Sequence, residues 1–344
     1  MQLKKEKFLK LFSIRFLTGG GCLIVFLLAY WHWLGYHLFL ETPISTSEQQ
    51  ATLTISRGDS ISSLARDWQR QGLISNQYYL RIMSFINPKL GQIKLGEYSL
   101  SPQETPSSLL RKLSEGKVIQ YAFTIIEGMN SFDVIRLIKN NELIKDDLVT
   151  DTKALAESIN LVNDHIEGWL FPDTYYFSRG ESATKIFKRA SLKMKSTLMK
   201  QWNNRAQNLP YKSTYEALIM ASIIEKETGL KSEREKIAGV FVRRLNKKMR
   251  LGTDPTVIYG IGPKFNGDIT YKDLRTKTPY NTYIIKGLPP TPIAMPGLDS
   301  IFAALHPDSG NALYFVADGS GGHYFSSTLE EHNKAVRRYI KGNK

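Results

Sequence analysis

Residues 16–40 form an unbroken stretch without a charged side chain, although the whole chain has a formal net charge of +14. About 20 helical residues, at roughly 1.5 Å each, cross the hydrocarbon layer of a bilayer. The stretch therefore predicts a transmembrane anchor. Residues 1–15 carry five basic side chains and one acidic one, which predicts a cytoplasmic basic tail and a body outside the cytoplasm.

The far end of this stretch argues against removal by a signal peptidase. Cleavage needs small residues after the apolar run, whereas the run here ends in Trp31, His32 and Trp33. We predict an uncleaved single-pass anchor in the cell inner (cytoplasmic) membrane, with a cleaved signal peptide or a buried helix as the alternatives. Cys22 follows three glycines, but the apolar run continues beyond it, so lipid attachment is not predicted.

The cysteine and histidine content limits the kinds of bond and metal site that the chain can form. A single cysteine excludes an intrachain disulfide and a site with several cysteine ligands. The six histidines include no pair spaced for one helix face, so a zinc site is not predicted. No other metal and no cofactor is predicted. With the body outside the cytoplasm, the positive charge indicates membrane lipid or an acidic wall polymer as partner, and not nucleic acid.

After a polar tether at 41–51, residues 52–118 are predicted to form a small βααβ module. Its start reads as a strand, a Gly58 turn, and a helix capped by Ser60 whose apolar face contains Ile61, Leu64, Ala65 and Trp68. This pattern resembles a LysM module, and LysM modules bind glycans that contain N-acetylglucosamine. A packing domain that no longer binds sugar is the alternative.

The same strand-turn-helix pattern returns at 119–160, where the strand from Ala122 corresponds to the strand from Thr52 in a weak internal repeat. Asn130 is predicted to cap the helix that follows. We therefore divide the predicted catalytic region, 119–344, into this repeat-like part and a catalytic core at 161–344. The predicted fold class is α+β, with a mixed α/β catalytic domain.

Glu227 is the strongest candidate for chemistry. The apolar run 214–224 predicts a helix, and helical spacing places Glu227 above Met220, Ile223 and Ile224. A carboxyl group at such a boundary is partly desolvated, which raises its pKa and suits general acid catalysis. Glu225 lies on a less apolar face and is the weaker candidate. Composition alone would favour an ion pair for either glutamate.

Downstream patterns complete the outline. A helix is predicted at 236–250, with a basic face that is either solvated or turned to anionic lipid or wall. A polar loop with a helical start follows at 251–260, and Tyr280 and Tyr283 lie among amide and hydroxyl groups that suit carbohydrate. A hairpin at 313–326 precedes a helix from Leu329, and His323 is interpreted as structural.

Several blocks, in order, resemble the endolytic murein transglycosylases, also called YceG-like proteins. They are EGWLFPDTYYF at 167–177, MASIIEKET at 220–228, LGTDPTVIYG at 251–260, YNTY at 280–283, GLPPTPIA at 287–294 and LYFVADGSGGHYF at 313–325. Met295 departs from the small or polar residue usual in that family.

The resemblance implies that Glu227 is the essential acid. It also implies sugar-positioning roles for a set of groove residues, which are Thr253, Tyr259, Asn281 and Tyr283. Glu225 and Asp254 are interpreted as further groove residues that could complete a hydrolytic pair.

The activity implied is lytic cleavage of the MurNAc-β-1,4-GlcNAc bond in nascent peptidoglycan strands, which leaves a 1,6-anhydro end and terminates elongation. Penicillin-binding synthases are implied as partners. A muramidase-type hydrolase and a non-catalytic peptidoglycan-binding scaffold are the rival interpretations.

Overall fold

The structure, a computed structural model, describes residues 23–44, 51–161 and 164–341. It divides into two compact units, Met1–Gln120 and Tyr121–Lys344. The predicted basic tail, Cys22 and most of the predicted tether lie outside the described residues.

The described part of the first unit starts with helix α1, Leu23–Glu41, whose 19 residues are long and apolar enough to cross a membrane. The remaining elements follow in chain order: β1 (Ala51–Ile55), α2 (Ile61–Arg70), α3 (Gln77–Ile86), a 3-10 turn (Pro88–Gly91), β2 (Gly96–Leu100) and α4 (Pro106–Glu115). Strands β1 and β2 pair antiparallel, with Ala51 opposite Leu100. The predicted order of strand, two helices and strand is confirmed; the likeness to a LysM module stays a prediction.

Local sequence explains why α2 begins where it does. The Ser60 hydroxyl accepts a hydrogen bond from the Ser63 amide, and the Ser63 hydroxyl accepts one from the Ser60 amide. This capping box satisfies amides that the helix cannot pair. The predicted apolar face is confirmed, since its four residues from Ile61 to Trp68 are all buried.

The second unit holds most of the helices. Its elements are β3 (Tyr121–Ile125), α5 (Ser131–Lys139), α6 (Thr152–Ser158), β4 (Asp173–Phe177), α7 (Ala183–Asn203), α8 (Thr214–Glu227), α9 (Lys231–Asn246), α10 (Asp254–Ile261), a 3-10 turn (Gly262–Lys264), α11 (Tyr271–Arg275), α12 (Leu298–Leu305), β5 (Tyr314–Ala317), β6 (His323–Ser326), α13 (Leu329–Val336) and a π-helical turn (Arg337–Lys341). The antiparallel pairs are β3 with β4 and β5 with β6.

The same local order of elements starts at β1 in the first unit and at β3 in the second. The spacing from the start of β3 to the start of α5 equals the spacing from the start of β1 to the start of α2. Asn130 caps α5 by accepting a hydrogen bond from the Asp133 amide, in the position where Ser60 caps α2. The predicted repeat of strand, turn and helix and the predicted cap are both present.

Helix α8 runs through the centre of the second unit. Every residue from Ala217 to Ile224 is buried, so this stretch is covered on all sides, as helices inside a core are. It packs on α7, α9, α10 and α12. Its last turn leaves the core, and there the charged residues begin.

Helix α9 departs from the predicted range of 236–250. It starts at Lys231, with Leu230 as its N-cap residue, and ends at Asn246. Lys248 adopts a left-handed conformation with φ of 56°, and the Met249 amide donates to the Arg244 carbonyl. That arrangement closes a helix C-terminus. The predicted end was wrong because it was based on the spacing of apolar residues, which does not indicate where a residue adopts a left-handed conformation.

Candidate active site

Glu227 is the last residue of α8. The next residue, Thr228, is extended, with φ of −146° and ψ of 138°, so the helix stops there. The side chain therefore lies at the negative end of the helix dipole, where a carboxylate is disfavoured. Because the buried body of α8 is fixed in the core, the position of this carboxyl group is fixed as well.

A cleft of about 760 Å³ opens over Glu227. Its walls are formed by the segment that leads into α10 at Asp254, by the β5–β6 hairpin, by the basic end of α9 and by the start of α13. The lining residues are Glu227, Arg244, Met249, Arg250, Gly252, Asp254, Tyr283, Tyr314, Phe315, Val316, Ala317, His323, Leu329 and His332. The cleft therefore offers aromatic rings that can pack on an apolar face of a ligand and charged or hydroxyl groups that can bind its polar atoms.

Burial raises the pKa of the Glu227 carboxyl group above its ordinary value. A hydrogen bond from Thr253 and electrostatic interactions with His323 and Arg244 act against this shift, but desolvation is the largest cause. Nearby Asp254 adds to the rise. The group therefore keeps its proton to a higher pH than an exposed glutamate does.

Two loops hold the hydrogen-bond partner of Glu227. The hydroxyl of the buried Thr253 donates to Oε2 of Glu227 over 2.6 Å. Thr253 itself is held by Thr282, whose hydroxyl accepts from the Thr253 amide at 3.0 Å and whose carbonyl accepts from the Gly252 amide at 3.1 Å. The LGTDP and YNTY blocks are therefore one hydrogen-bonded structure beside the carboxyl group.

Asp254 and Tyr283 form a second polar pair in the cleft. The Tyr283 hydroxyl donates to Oδ1 of Asp254 over 2.6 Å, and both residues line the cavity. Asp254 is exposed and Tyr283 is 36% exposed, so both can reach a bound molecule. With Thr253, they are the predicted groove residues that the structure brings to Glu227.

Glu225 lies away from this cleft lining. Its carboxylate is buried, 3.1 Å from the Arg234 guanidinium, and accepts a hydrogen bond from the Gly297 amide at 2.9 Å. Glu127 and Asp299 lie 3.8 Å and 3.7 Å from the same guanidinium. The Glu225 side chain thus joins α8 to α9 and to the start of α12, which corrects its expected place in the groove.

Asn281 and Tyr259 are likewise turned into the structure. The Asn281 amide donates to the carbonyls of three residues near the end of α11, which are Asp273, Leu274 and Thr276. Tyr259 donates to Glu167 at 3.0 Å. Neither side chain lines the cleft that contains Glu227, so their contribution is to hold the loops.

Eleven of the fourteen lining residues are not among the site residues predicted from sequence, and two of the eleven, Arg244 and His323, make hydrogen bonds that fix the walls of the cleft. Arg244 donates to the carbonyls of Leu251 and Leu313 at 2.5 and 2.7 Å, which ties the LGTDP loop to the hairpin. His323, interpreted as structural, is held by Glu233 through its amide at 2.9 Å and through Nδ1 at 2.7 Å. His323 belongs to the LYFVADGSGGHYF block, which could have indicated its place in the site. The block alone does not show which of its side chains are buried and which line the cleft.

Comparison with known proteins places the chain in a family. The model of the YceG-like family matches residues 53–338, and the chain belongs to that family. An endolytic murein transglycosylase of Bacillus subtilis is 34% identical over 324 residues, which cover 88% of each chain.

An endolytic murein transglycosylase of Streptococcus pneumoniae is 25% identical, over 90% of this chain and 62% of its own length. The crystal structure of a YceG-like protein from Listeria monocytogenes superimposes with a TM-score of 0.52 at 33% identity. That match covers 84% of this chain and 99% of the other.

Proposed function

We propose that this chain is an endolytic peptidoglycan lytic transglycosylase that cleaves the MurNAc-β-1,4-GlcNAc bond with Glu227 as its acid and base. The observation that carries the proposal is a carboxyl group at the end of a buried helix, desolvated and open to a cleft. The names of the curated relatives support a murein substrate and this class of reaction.

The proposed reaction needs one proton carrier. Protonated Glu227 donates its proton to the glycosidic oxygen as the C1–O bond breaks. The resulting carboxylate accepts the proton of the muramyl C6 hydroxyl, whose oxygen bonds to C1 and closes a 1,6-anhydro ring. Glu227 ends protonated and no water is consumed. A glycosidase needs a second carboxylate because its nucleophile is not part of the substrate.

The neighbours of Glu227 have separate roles in this proposal. Thr253 orients the carboxyl group and stabilises its charged form, as the 2.6 Å hydrogen bond implies. Asp254 and Tyr283 offer hydrogen bonds to sugar hydroxyls from the cleft wall. Tyr259 and Asn281 act through the loops they hold, so they are positioning residues, whereas Glu225 stabilises the junction of α8, α9 and α12.

A muramidase-type hydrolase remains the second candidate because Asp254 faces the same cleft. In a hydrolase, Asp254 would activate water or form a glycosyl intermediate. Digestion of purified glycan strands followed by mass spectrometry separates the two, since a hydrolase leaves reducing ends and a lytic transglycosylase leaves anhydro ends. A scaffold would release nothing. Under our proposal, Asp254→Asn still yields anhydro ends.

The first prediction contrasts the two glutamates of the EKET block. Glu227→Gln removes the titratable proton and is expected to abolish release of anhydro products while the chain still folds. The matched control, Glu225→Gln, is expected to keep anhydro products. It should lower the free energy of unfolding by about 1–3 kcal/mol, because a buried Arg234 contact is weakened.

Urea unfolding and product analysis on the same preparations measure both effects. Cleavage by a folded Glu227→Gln chain at the wild-type rate would falsify the assignment.

The site of action follows from α1. The proposal includes single-pass anchoring in the inner membrane with the N-terminus cytoplasmic, for which the length and apolar character of Leu23–Glu41 are the support. An enzyme held there meets nascent strands as synthases release them, so penicillin-binding synthases are proposed partners. A sugar-binding role for the βααβ module is proposed from its likeness to LysM modules alone.

A further inference from the structure

Helix α3 carries more apolar surface than its packing within the first unit uses. Leu80 and Met83 are buried in the core of that unit. Four further large apolar or aromatic residues of α3 are solvent-exposed: Tyr78, Ile82, Phe85 and Ile86. Phe85, at 86% exposure, is turned almost fully outward.

These exposed residues form one face. At roughly 100° per residue, positions 78, 82, 85 and 86 fall within an arc of about 100°. Tyr79 borders that arc, and the buried Leu80 and Met83 lie beyond it. The apolar surface of α3 is therefore continuous from the core, past Tyr79, to the exposed face, in the pattern of an amphipathic helix with a second partner.

Tyr79 is the residue through which α3 contacts helix α1. Its hydroxyl lies 3.4 Å from Nδ1 of His32, and its ring lies 5.9 Å from Tyr36 and 5.7 Å from Phe39. A Cβ atom on Gly35 would approach the same hydroxyl to 2.7 Å. Helix α3 thus lies beside the last turns of α1.

Those turns of α1 carry the rings that favour a membrane surface. Tyr30, Trp31 and Trp33 are exposed, and Tyr36 is partly buried against Tyr79. Tryptophan and tyrosine concentrate at the boundary between headgroups and acyl chains. Because α3 contacts α1 at this level, its exposed face belongs at the depth of that boundary.

We infer that α3 is an interfacial helix: its face of Tyr78, Ile82, Phe85 and Ile86 lies in the outer headgroup region of the bilayer that α1 crosses. This rests on the proposed anchoring. A lipid surface is the occupant because the face adjoins the last turns of α1 and because exposed Lys89, in the next turn, suits lipid phosphates. The βααβ module is then held to the membrane by two elements.

The test measures the depth of spin labels in the full-length chain, reconstituted in bilayers of phosphatidylethanolamine and phosphatidylglycerol. In a Cys22→Ser background, a label is placed by Phe85→Cys, by Arg66→Cys on the exposed side of α2, or by Leu28→Cys within α1. Accessibility to oxygen, which concentrates in lipid, is compared with accessibility to a water-soluble nickel chelate. Retained release of anhydro products checks each variant.

The expected result is a shift of the oxygen-to-nickel ratio at residue 85 from the aqueous range, set by residue 66, toward the lipid range, set by residue 28. A ratio at residue 85 equal to that at residue 66, with residue 28 in lipid, overturns the inference and leaves the anchor intact. Dipolar broadening between labels at residue 85 would assign the face to a second copy and also overturn it. A label at residue 28 in water would overturn the anchor itself.

Discussion

At the residue scale, the proposed chemistry depends on the protonation of Glu227. Three features disfavour its charged form: burial, the nearby Asp254, and its place at the negative end of α8. The hydrogen bond from Thr253 and the electrostatic interactions with His323 and Arg244 favour the charged form. An acid that must first donate and then accept a proton needs both influences.

Thr253→Val is therefore expected to move the alkaline limb of the pH–activity profile to higher pH. The limb marks loss of the proton that Glu227 donates. The Thr253 hydroxyl lowers the pKa of Glu227, so removing it raises that pKa and preserves the protonated form further. Initial rates of anhydro-product release across pH measure the shift.

Thr253→Ser is the control for that experiment, since it keeps the hydroxyl group and should keep the limb near its original position. An alkaline limb that moves to lower pH in Thr253→Val would contradict the assigned hydrogen bond.

Sequence pattern identified the candidate residue but not its whole surroundings. Helical spacing separated Glu227 from Glu225, and the structure gives the two glutamates different environments, a cleft and a buried ion pair. His323 could not be assigned to the site from sequence because it lies far from Glu227 along the chain. Local patterns do not indicate contacts between residues at such a separation. Tyr259 and Asn281 were placed in the groove because polarity does not tell which way a side chain turns.

At the element scale, the site is built by joining loops. Thr282 binds the LGTDP loop, and the neighbouring Asn281 binds the carbonyl groups at the end of α11. The helices themselves were largely predictable, because caps and apolar periodicity are local signals. The path of the chain from α11 to α12 was not, since it is fixed by side chains that bind carbonyl groups.

Asn281→Asp is expected to lower the free energy of unfolding by about 1–3 kcal/mol, because it sets an oxygen against three carbonyl oxygens in a buried position. Cleavage should fall as well, since Thr282 and Tyr283 follow directly in the chain. Urea unfolding and product release measure the two effects.

Asn333→Asp, on the exposed side of α13, makes the same chemical change without buried partners and should alter neither quantity. Unchanged unfolding of Asn281→Asp would mean that the three hydrogen bonds contribute nothing to the loop.

At the scale of the whole molecule, the chain contains an apolar helix and two segments of strand, capped turn and helix, one in each unit. The sequence indicates this repeat because each copy depends on local signals: an alternating strand, a turn and a capped helix. The antiparallel pairing of β2 with β1 and of β4 with β3 is harder to predict from sequence. Two helices separate each returning strand from its partner, and no local signal encodes pairing across such a connection.

The proposed topology predicts where a reporter fused after Lys344 will function. An alkaline phosphatase that is active only outside the cytoplasm should be active on the full-length chain, and the protein should stay with membranes during alkaline carbonate extraction. Replacing the five basic residues of 1–15 by glutamine should reduce reporter activity, because the charge bias that retains the N-terminus is lost. An inactive reporter on the unaltered chain would contradict the orientation.

The fixed position of α8 in the core has a consequence for how sequences of this kind can vary. Adding or deleting one residue between Ala217 and Ile224 would turn everything beyond it by roughly 100° about the helix axis and displace it by about 1.5 Å along that axis. The terminal carboxyl group would then point into packed side chains instead of open space. Apolar substitutions that conserve side-chain volume in the buried part of α8 are compatible with the proposed activity, whereas changes in its length are not, so the number of residues in this helix constrains the enzyme as strictly as the identity of its last one.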